Sequence, residues 1–308
     1  VRRVKIRFEL VGPGQIGPHV ADLRALERGV TYPLGGGERF FIDHGEAYHP
    51  FFSRMGDASF LLALEGERVV GALAGVFKRA RCGKESYEGV YLCDLKLAPG
   101  HRGQGVARGM LWHALSLSIR SPELRRWRFA YGATMRGERG DVMRSARGVH
   151  AARMARPWAR LKIWFARPEA LASLDAAGCP PFPGAPLDLS PDAIPPDALH
   201  ADLGLVSTAG RKDLRLVSSG APWPLVHLAA NPGVRGRWGA YLREAGEALV
   251  RLQPDALACF ALDERLSPQL RWIEGQGLTT DASCTVYALR LPGGPPRAPF
   301  VHLATSEI

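Results

Sequence analysis

The chain lacks a long apolar run. Its longest clean one, Val69 to Phe77, falls far short of the roughly 20 residues a membrane-spanning helix needs, so no membrane partner is expected. Nor does an apolar leader follow Val1-Arg2-Arg3-Val4-Lys5-Ile6, a start without Met that reads as trimmed. Cysteine is sparse: Cys82, Cys93, Cys179, Cys259 and Cys284 are scattered, odd in number and without a CxxC pair. That pattern argues against a disulfide framework and a zinc site, and suits reduced thiols in a cytoplasm. Lysine is rare, and the formal net charge of +10 comes almost wholly from arginine. Codon bias in a GC-rich genome is the first account of arginine with alanine, glycine and proline; attraction for an anionic ligand is the functional alternative. The dense arginines from Arg120 to Arg167 lack regular aromatic interleaving, so nucleic acid is set aside.

What remains is the material of a globular protein: 308 residues, 46% apolar and 8% aromatic, enough for two ordinary domains. The first stretch reads as two helical segments, Ile16 to Arg28 and one around Glu46 to Met55. A hairpin follows, Ser59 to Leu64 and Val69 to Phe77 about a turn at Glu65-Gly66-Glu67. A loop Lys78 to Gly89 leads to a third strand, Val90 to Leu97. A helix Val106 to Ile119 directs Met110, Leu111, Leu115 and Ile119 to a core and ends before Ser121-Pro122. A buried strand Trp127 to Thr134, a helix around Asp141 to Met154 and a strand Leu161 to Phe165 close this unit.

Proline recurs from Cys179 to Pro196, which marks a semi-rigid linker or surface strap and a domain boundary. Beyond it lie candidate strands Leu203 to Ser207, Leu214 to Ser218 and Leu225 to Ala229. A helix Gly239 to Leu252, a strand Ala256 to Leu262, a helix Ser267 to Gly275 and a strand Thr285 to Leu291 follow. One arrangement occurs twice. Pro99-Gly-His-Arg102-Gly-Gln-Gly105 returns as Pro232-Gly-Val-Arg235-Gly-Arg-Trp238, each after a strand and before an amphipathic helix. This reads as an internal repeat.

A glycine-bearing turn at a helix start presents unpaired N–H groups where the helix dipole is positive, which suits a pyrophosphate. A dinucleotide G-x-G-x-x-G fails because Arg108 stands where a third small residue belongs and a hairpin precedes it. A P-loop fails because no Gly-Lys-Ser/Thr follows. The run Leu95-x-Leu97-x-Pro99-x-x-Arg102-Gly103-x-Gly105-x-Ala107 resembles the acyl-CoA signature of the GNAT superfamily of N-acetyltransferases. The order of elements around it is similar as well, over roughly residues 1 to 170.

The resemblance implies a mixed α/β (α+β) fold, a mostly antiparallel sheet flanked by helices, followed by a second, smaller GNAT-like domain. Residues 1–175 would be the acetyltransferase domain, 176–200 the Pro-rich linker and 201–308 a degenerate copy. It also implies acetyl-CoA, or another acyl-CoA, as cofactor. Backbone groups of Leu95, Lys96 and Leu97 would bind the pantetheine arm, with the Leu97 amide polarising the thioester carbonyl. Amides from Arg102 through Gly103, Gln104, Gly105, Val106 and Ala107 to Arg108 would hold the pyrophosphate. Gly103 and Gly105 lack the Cβ that would keep phosphate oxygens away.

Asp94, an acid among apolar neighbours on the signature strand, is the candidate base; a structural carboxylate is the other reading. The family's usual tyrosine on the following helix is missing, so thiolate protonation falls to Tyr131, His150 or water. Tyr131 also reads as a core residue. The segment Asp43-His44-Gly45-Glu46 with His49 has the wrong spacing for a metal and would border the acceptor site. Cys93 reads as a buried small residue. Trp238, standing where Gly105 stands, would fill the space a pyrophosphate needs, so one cofactor site per chain is expected. The second unit would then complete the core, cover the acceptor cleft or form a homodimer surface.

The activity implied is direct transfer of an acyl group to a primary amine, on a small molecule or a peptide. A CoA-binding sensor without chemistry and a tRNA-dependent aminoacyl transferase of tandem build are the alternatives.

Overall fold

A computed structural model of the chain describes residues 5–35, 38–137, 140–141, 155–233 and 236–308. Seventeen strands are described. β1 (Ile6–Val11), β2 (Tyr32–Gly35), β3 (Glu38–Asp43), β4 (Asp57–Glu65), β5 (Arg68–Cys82), β6 (Glu85–Leu97), β7 (Phe129–Gly137), β8 (Gly140–Asp141) and β9 (Arg156–Ala166) come first. Then follow β10 (Leu187–Asp188), β11 (Leu205–Ser207), β12 (Asp213–Leu216), β13 (Pro222–Trp223), β14 (Leu225–Leu228), β15 (Leu257–Asp263), β16 (Ser283–Arg290) and β17 (Val301–His302). The helices are α1 (Val20–Arg28), α2 (Pro50–Met55), α3 (Val106–Arg120), α4 (Pro168–Ala172), α5 (Trp238–Leu252) and α6 (Ser267–Gly275). None is long and apolar enough to cross a membrane.

One large sheet runs β1-β4-β5-β6-β7-β16-β9-β15-β14-β11. It is mostly antiparallel; β6 with β7 and β14 with β15 are its parallel pairs along this path. Each parallel pair is joined through a glycine-bearing turn and a 15-residue helix, α3 in one case and α5 in the other. The repeat seen in the sequence is therefore a repeat of strand, turn, helix and parallel strand. Its two copies exchange their last strands: β16 lies beside β7 of the first copy, and β9 lies beside β15 of the second. β16 and β9 then pair with each other at the centre. The two halves of the chain complete one sheet, and one buried cluster draws on both of them.

The long strand β5 is buried on both faces, which explains its near-continuous apolar run from Val69 to Val76. On one face α3 packs Val106 and Met110 against Leu61, Val70 and Leu73. On the other lie Leu23 and Leu26 of α1 and Phe51, Phe52 and Met55 of α2. In the second half, Tyr241, Leu242, Ala245, Ala248 and Leu249 form the buried stripe of α5, at helical spacing, against Trp164, Phe260 and Leu228.

Several sequence expectations are corrected. The first helical segment is shorter: two 3-10 turns precede α1, which starts at Val20, and the second helix starts only at Pro50. Three strands were missed there, β1, β2 and β3. The loop expected from Lys78 to Gly89 is instead the far end of a long hairpin that turns between Cys82 and Glu85. Its extra length is held by antiparallel pairing from Phe77 with Val90 to Cys82 with Glu85. Ile119, expected in the core, is 59% exposed in the last turn of α3. The Pro-rich stretch is a strap bound into the sheet: Leu187 and Asp188 pair with both β17 and β5. The helix expected around Asp141 to Met154, with His150, lies almost wholly outside the described residues.

A second, four-stranded sheet has the order β13-β12-β3-β2. It is composite, since β2 and β3 come from the first half and β12 and β13 from the second. Arg215 of β12 ties the halves together, its Nε donating to Asp43 Oδ2 at 2.7 Å. This sheet roofs the cavity described next.

Candidate active site

β6 and β7 are paired only from Gly89 with Phe129 to Tyr91 with Tyr131. Beyond Tyr91 they splay, leaving one edge of β6 open. The register of β6 against β5 also slips, between Ala72 and Ala74, so that Asp94 and Leu95 bulge from the strand. Asp94 takes a left-handed conformation there, with φ of 57°. After the bulge the Ala98 amide bonds to the Val70 carbonyl at 2.9 Å. Strand alternation then turns the Leu97 N–H away from β5 and toward the open notch.

The signature turn follows. Pro99–His101 forms a 3-10 turn, and Gly103 and Gly105 have φ of 75° and 83°, conformations that favour glycine. Gly105 is the N-cap of α3. No described residue hydrogen-bonds to the amides of Gly103, Gln104, Gly105, Val106, Ala107 or Arg108. Space is open above them: a Cβ at Gly103 would meet nothing within 4 Å, and one at Gly105 only Arg108 Nη2, at 3.5 Å. Six free amides at a positive helix end in open space fit a pyrophosphate. The Arg102 amide, expected at the pyrophosphate, bonds instead to the Pro99 carbonyl at 3.3 Å, and the Arg102 side chain serves the fold. Its Nε donates to the Leu97 carbonyl and its Nη2 to the Gly29 carbonyl, both at 3.2 Å, bracing the turn against β6 and the end of α1.

The second turn departs from the first at the helix start, where Trp238 stands in place of Gly105, although a Cβ on Gly236, the counterpart of Gly103, would likewise meet nothing within 4 Å. Trp238 is 2% exposed and packs its indole against Tyr241 and Phe182, the latter from the Pro-rich strap. A Cβ on Gly233 would lie 2.6 Å from Pro186 Cδ, and the Gly233 amide already donates to Asn231 Oδ1 at 2.9 Å.

Beside the notch a cavity of about 670 Å³ extends from the α3 side, at Leu111 and Trp112, through the splay to the composite sheet. Its walls are mainly apolar, with Phe40, Phe51, Phe52 and Tyr91 from the first half and Leu214 and Trp223 from the second. Tyr131 lines it too, but the hydroxyl donates to the Leu189 carbonyl at 3.2 Å and the ring stacks on Tyr91 at 4.8 Å. Burial, with Glu307 nearby, raises its pKa well above the usual tyrosine value. Tyr131 is held as a core residue rather than as an available acid.

Asp94 belongs to a buried cluster. Its carboxylate accepts from Lys96 Nζ and from the Tyr48 hydroxyl, while Lys96 also lies 3.6 Å from Glu27 Oε1. His44 Nδ1 lies 2.5 Å from the same Glu27 oxygen. Burial pulls His44 down in pKa, so the neutral ring donates to Glu27. Burial alone would push Asp94 up; the Lys96 charge, the His44 ring once it is protonated in acid, and the hydrogen bonds from Lys96 and Tyr48 outweigh it and hold Asp94 at about 2. Such a carboxylate is a weak base at neutral pH. Tyr48, like Asp94, has positive φ, at 61°. The two strained residues are bonded to each other, which locks the bulge in place.

Glu27, His44 and Asp94 do bring one atom each within 4.8 Å of one another, as a metal site would. Here the Lys96 ammonium already supplies the cation between the two carboxylates, and a divalent ion would be repelled by it. His49 faces Ser53 instead, and Asp43 is taken by Arg215. Cys93 is raised in pKa by burial and by Asp94, as expected of an inert thiol. Sequence reasoning missed Glu27, Tyr48 and the Lys96 side chain, and it missed Lys212. This lysine reaches the cavity from the second half and is 7% exposed.

A splayed parallel pair, a bulged strand and an open glycine turn at a helix N-terminus define the acyl-donor class of site that the signature implied. The comparisons agree with that class. Residues 26–131 match the family model described as Acetyltransferase (GNAT) family. The chain therefore carries a GNAT-family domain in its first half. Over nearly its whole length it is similar in fold to a tandem GNAT protein from the clavulanic acid biosynthesis pathway, with 15% identity and a TM-score of 0.51, covering 95% of this chain and 100% of that one. It is also similar to a candidate acetyltransferase of Pyrococcus horikoshii, with 12% identity and a TM-score of 0.50, covering 98% of this chain and 95% of that one. A search of curated proteins by sequence finds no match.

Proposed function

We propose that the chain is an N-acyltransferase that takes an acyl group from acyl-CoA, acetyl-CoA first among them, and passes it directly to a primary amine. The observation that carries this is the open turn Gly103 to Arg108, continuous through the notch with a largely apolar cavity. Acetyl-CoA would supply the activated thioester. The free amides of Gly103, Gln104, Gly105, Val106, Ala107 and Arg108 would hold its pyrophosphate, and the open edge at Leu95, Lys96 and Leu97 its pantetheine arm. The Leu97 N–H, turned into the notch, would stabilise charge on the carbonyl oxygen. An acceptor ammonium in the apolar cavity beside the notch is desolvated and gives up one proton to solvent more readily than in water, and a second proton passes from the attacking amine to the departing thiolate. The second unit, whose turn carries Trp238 in place of Gly105, would serve as the far wall of the acceptor cavity.

A CoA-binding sensor would need the turn but not the cavity, so the cavity favours transfer. A tRNA-borne donor would not need the glycine turn. Release of free thiol from acetyl-CoA, followed over a panel of amines, tests the reading; CoA binding with no thiol release for any amine would favour the sensor. Tyr131→Phe removes one buried hydrogen bond, so it should cost about 1 kcal/mol of stability and leave thiol release within twofold. A tenfold loss of kcat would restore Tyr131 as the acid.

A further inference from the structure

Lysine is scarce in this chain, with six residues against the many arginines, yet Lys78, Lys96 and Lys212 are all buried. The first two are paired in the usual way. Lys78 meets Glu307 at 2.6 Å, and Lys96 meets Asp94 and Glu27. Lys212 is different. Its Nζ makes no ion pair and no hydrogen bond with any described residue, and it lies over the Phe51 ring at 4.7 Å. The groups acting on it are Asp94, Cys93 and Lys96 of β6 and Cys259 of β15, with His227 of β14 on the same cavity wall. Asp94 is already satisfied by Lys96 and Tyr48. Burial pushes the Lys212 ammonium down to about 8, with Asp94 opposing the fall. It likewise helps hold His227, buried and bonded to Thr208 and Thr305, at about 3.

A buried ammonium without a counter-ion is costly, and an anion entering the cavity would relieve that cost. We infer that Lys212 is the binding site for a carboxylate on the acceptor, which makes the acceptor an amino acid-like molecule with an apolar body between its amine and its carboxylate. One ammonium among apolar walls matches a monoanion. A phosphate dianion would call for more donors than this end of the cavity presents. The inference rests on the acyl-transfer reading for the word acceptor, while the anion site itself does not depend on turnover.

Two arms of one experiment separate these. In the first, the whole chain is titrated by calorimetry at pH 9 with 4-phenylbutyrate and with its neutral amide, in buffers of different ionisation heat. The carboxylate should bind at least tenfold more tightly than the amide and take up a proton, since its charge favours protonated Lys212. In Lys212→Met, or Lys212→Gln if the first variant folds poorly, the difference should fall below twofold. Equal binding of acid and amide by the unaltered chain, or an unchanged difference in the variants, overturns the proposal. In the second arm, thiol release is compared for ω-amino carboxylates and amines of matched length. A tenfold or larger preference for the carboxylates supports it, and a preference for plain amines overturns it. Carboxylate binding without thiol release would leave the anion site standing and count against the transferase reading.

Discussion

Lys96→Met lowers the stability of the chain by about 3–5 kcal/mol, the range seen when one partner of a buried ion pair is removed. Methionine fills a similar volume, so packing is kept and the loss reports on charge. In the variant Asp94 and Glu27, both buried with Lys96 between them, face each other without a cation. Adding Asp94→Asn removes one of the two charges, and asparagine tolerates the left-handed backbone at this position. The double variant should therefore recover at least half of the loss in a denaturant titration. A single variant with an unchanged midpoint would show that the cluster is not coupled. The pH dependence follows the same logic. The Asp94 pKa is depressed to about 2 in the folded chain, so its contribution is complete above its unfolded value near 4. That contribution, roughly 2 kcal/mol, is lost as pH falls from about 4 through about 2. Lys96→Met should flatten this limb of the stability profile.

Gly105→Trp weakens CoA binding more than a hundredfold, equivalent to about 2.7 kcal/mol or more. The substitution writes the second turn's residue into the first. It places an indole where the turn is open, and a non-glycine residue at φ of 83° adds strain of about 1–2 kcal/mol. Strain alone is controlled by Gly83→Trp, since Gly83 has φ of 61° and open surroundings at the tip of the β5–β6 hairpin, away from the turn. The control should share any loss of melting temperature and bind CoA like the unaltered chain. Calorimetric titration of CoA decides between them, and a Gly105→Trp affinity within fivefold of the original would remove the turn from the cofactor site.

The parts of the fold that were legible in the sequence are those whose signal is local. The hairpin about Gly66, the strand to Leu97, the turn and α3 follow from apolar runs and glycine placement over a few residues. The repeat was visible because its turn carries matching prolines, glycines and arginines. β1 could have been found, since Ile6-Arg-Phe8-Glu-Leu10 alternates as a half-buried edge strand does. β2 and β3 pair with each other locally, but β3 also pairs with β12, more than 160 residues away, and no local pattern announces that. The exchange of β9 and β16 is hidden for the same reason.

The site divides in the same way. Gly103, Gly105 and Leu97 could be placed from spacing, because the turn is one contiguous segment. Asp94 could be flagged as an unusual buried acid, but its role depends on Tyr48 and Glu27, 46 and 67 residues earlier. Partners at that distance turned a candidate base into a carboxylate held at about 2. The Arg102 amide was expected at the pyrophosphate, and the Pro99 carbonyl claims it instead. Lys212 carried no signal in its own segment; it matters because the composite sheet brings it over Phe51.

The central claim is that one turn of the repeated pair binds cofactor and the other does not. Amide hydrogen exchange with and without CoA tests both halves at once. Slowed exchange at Gly103 through Arg108, with Trp238 through Tyr241 unchanged, is the result expected. Protection at the Trp238 turn, or none at Gly103 through Arg108, would contradict it.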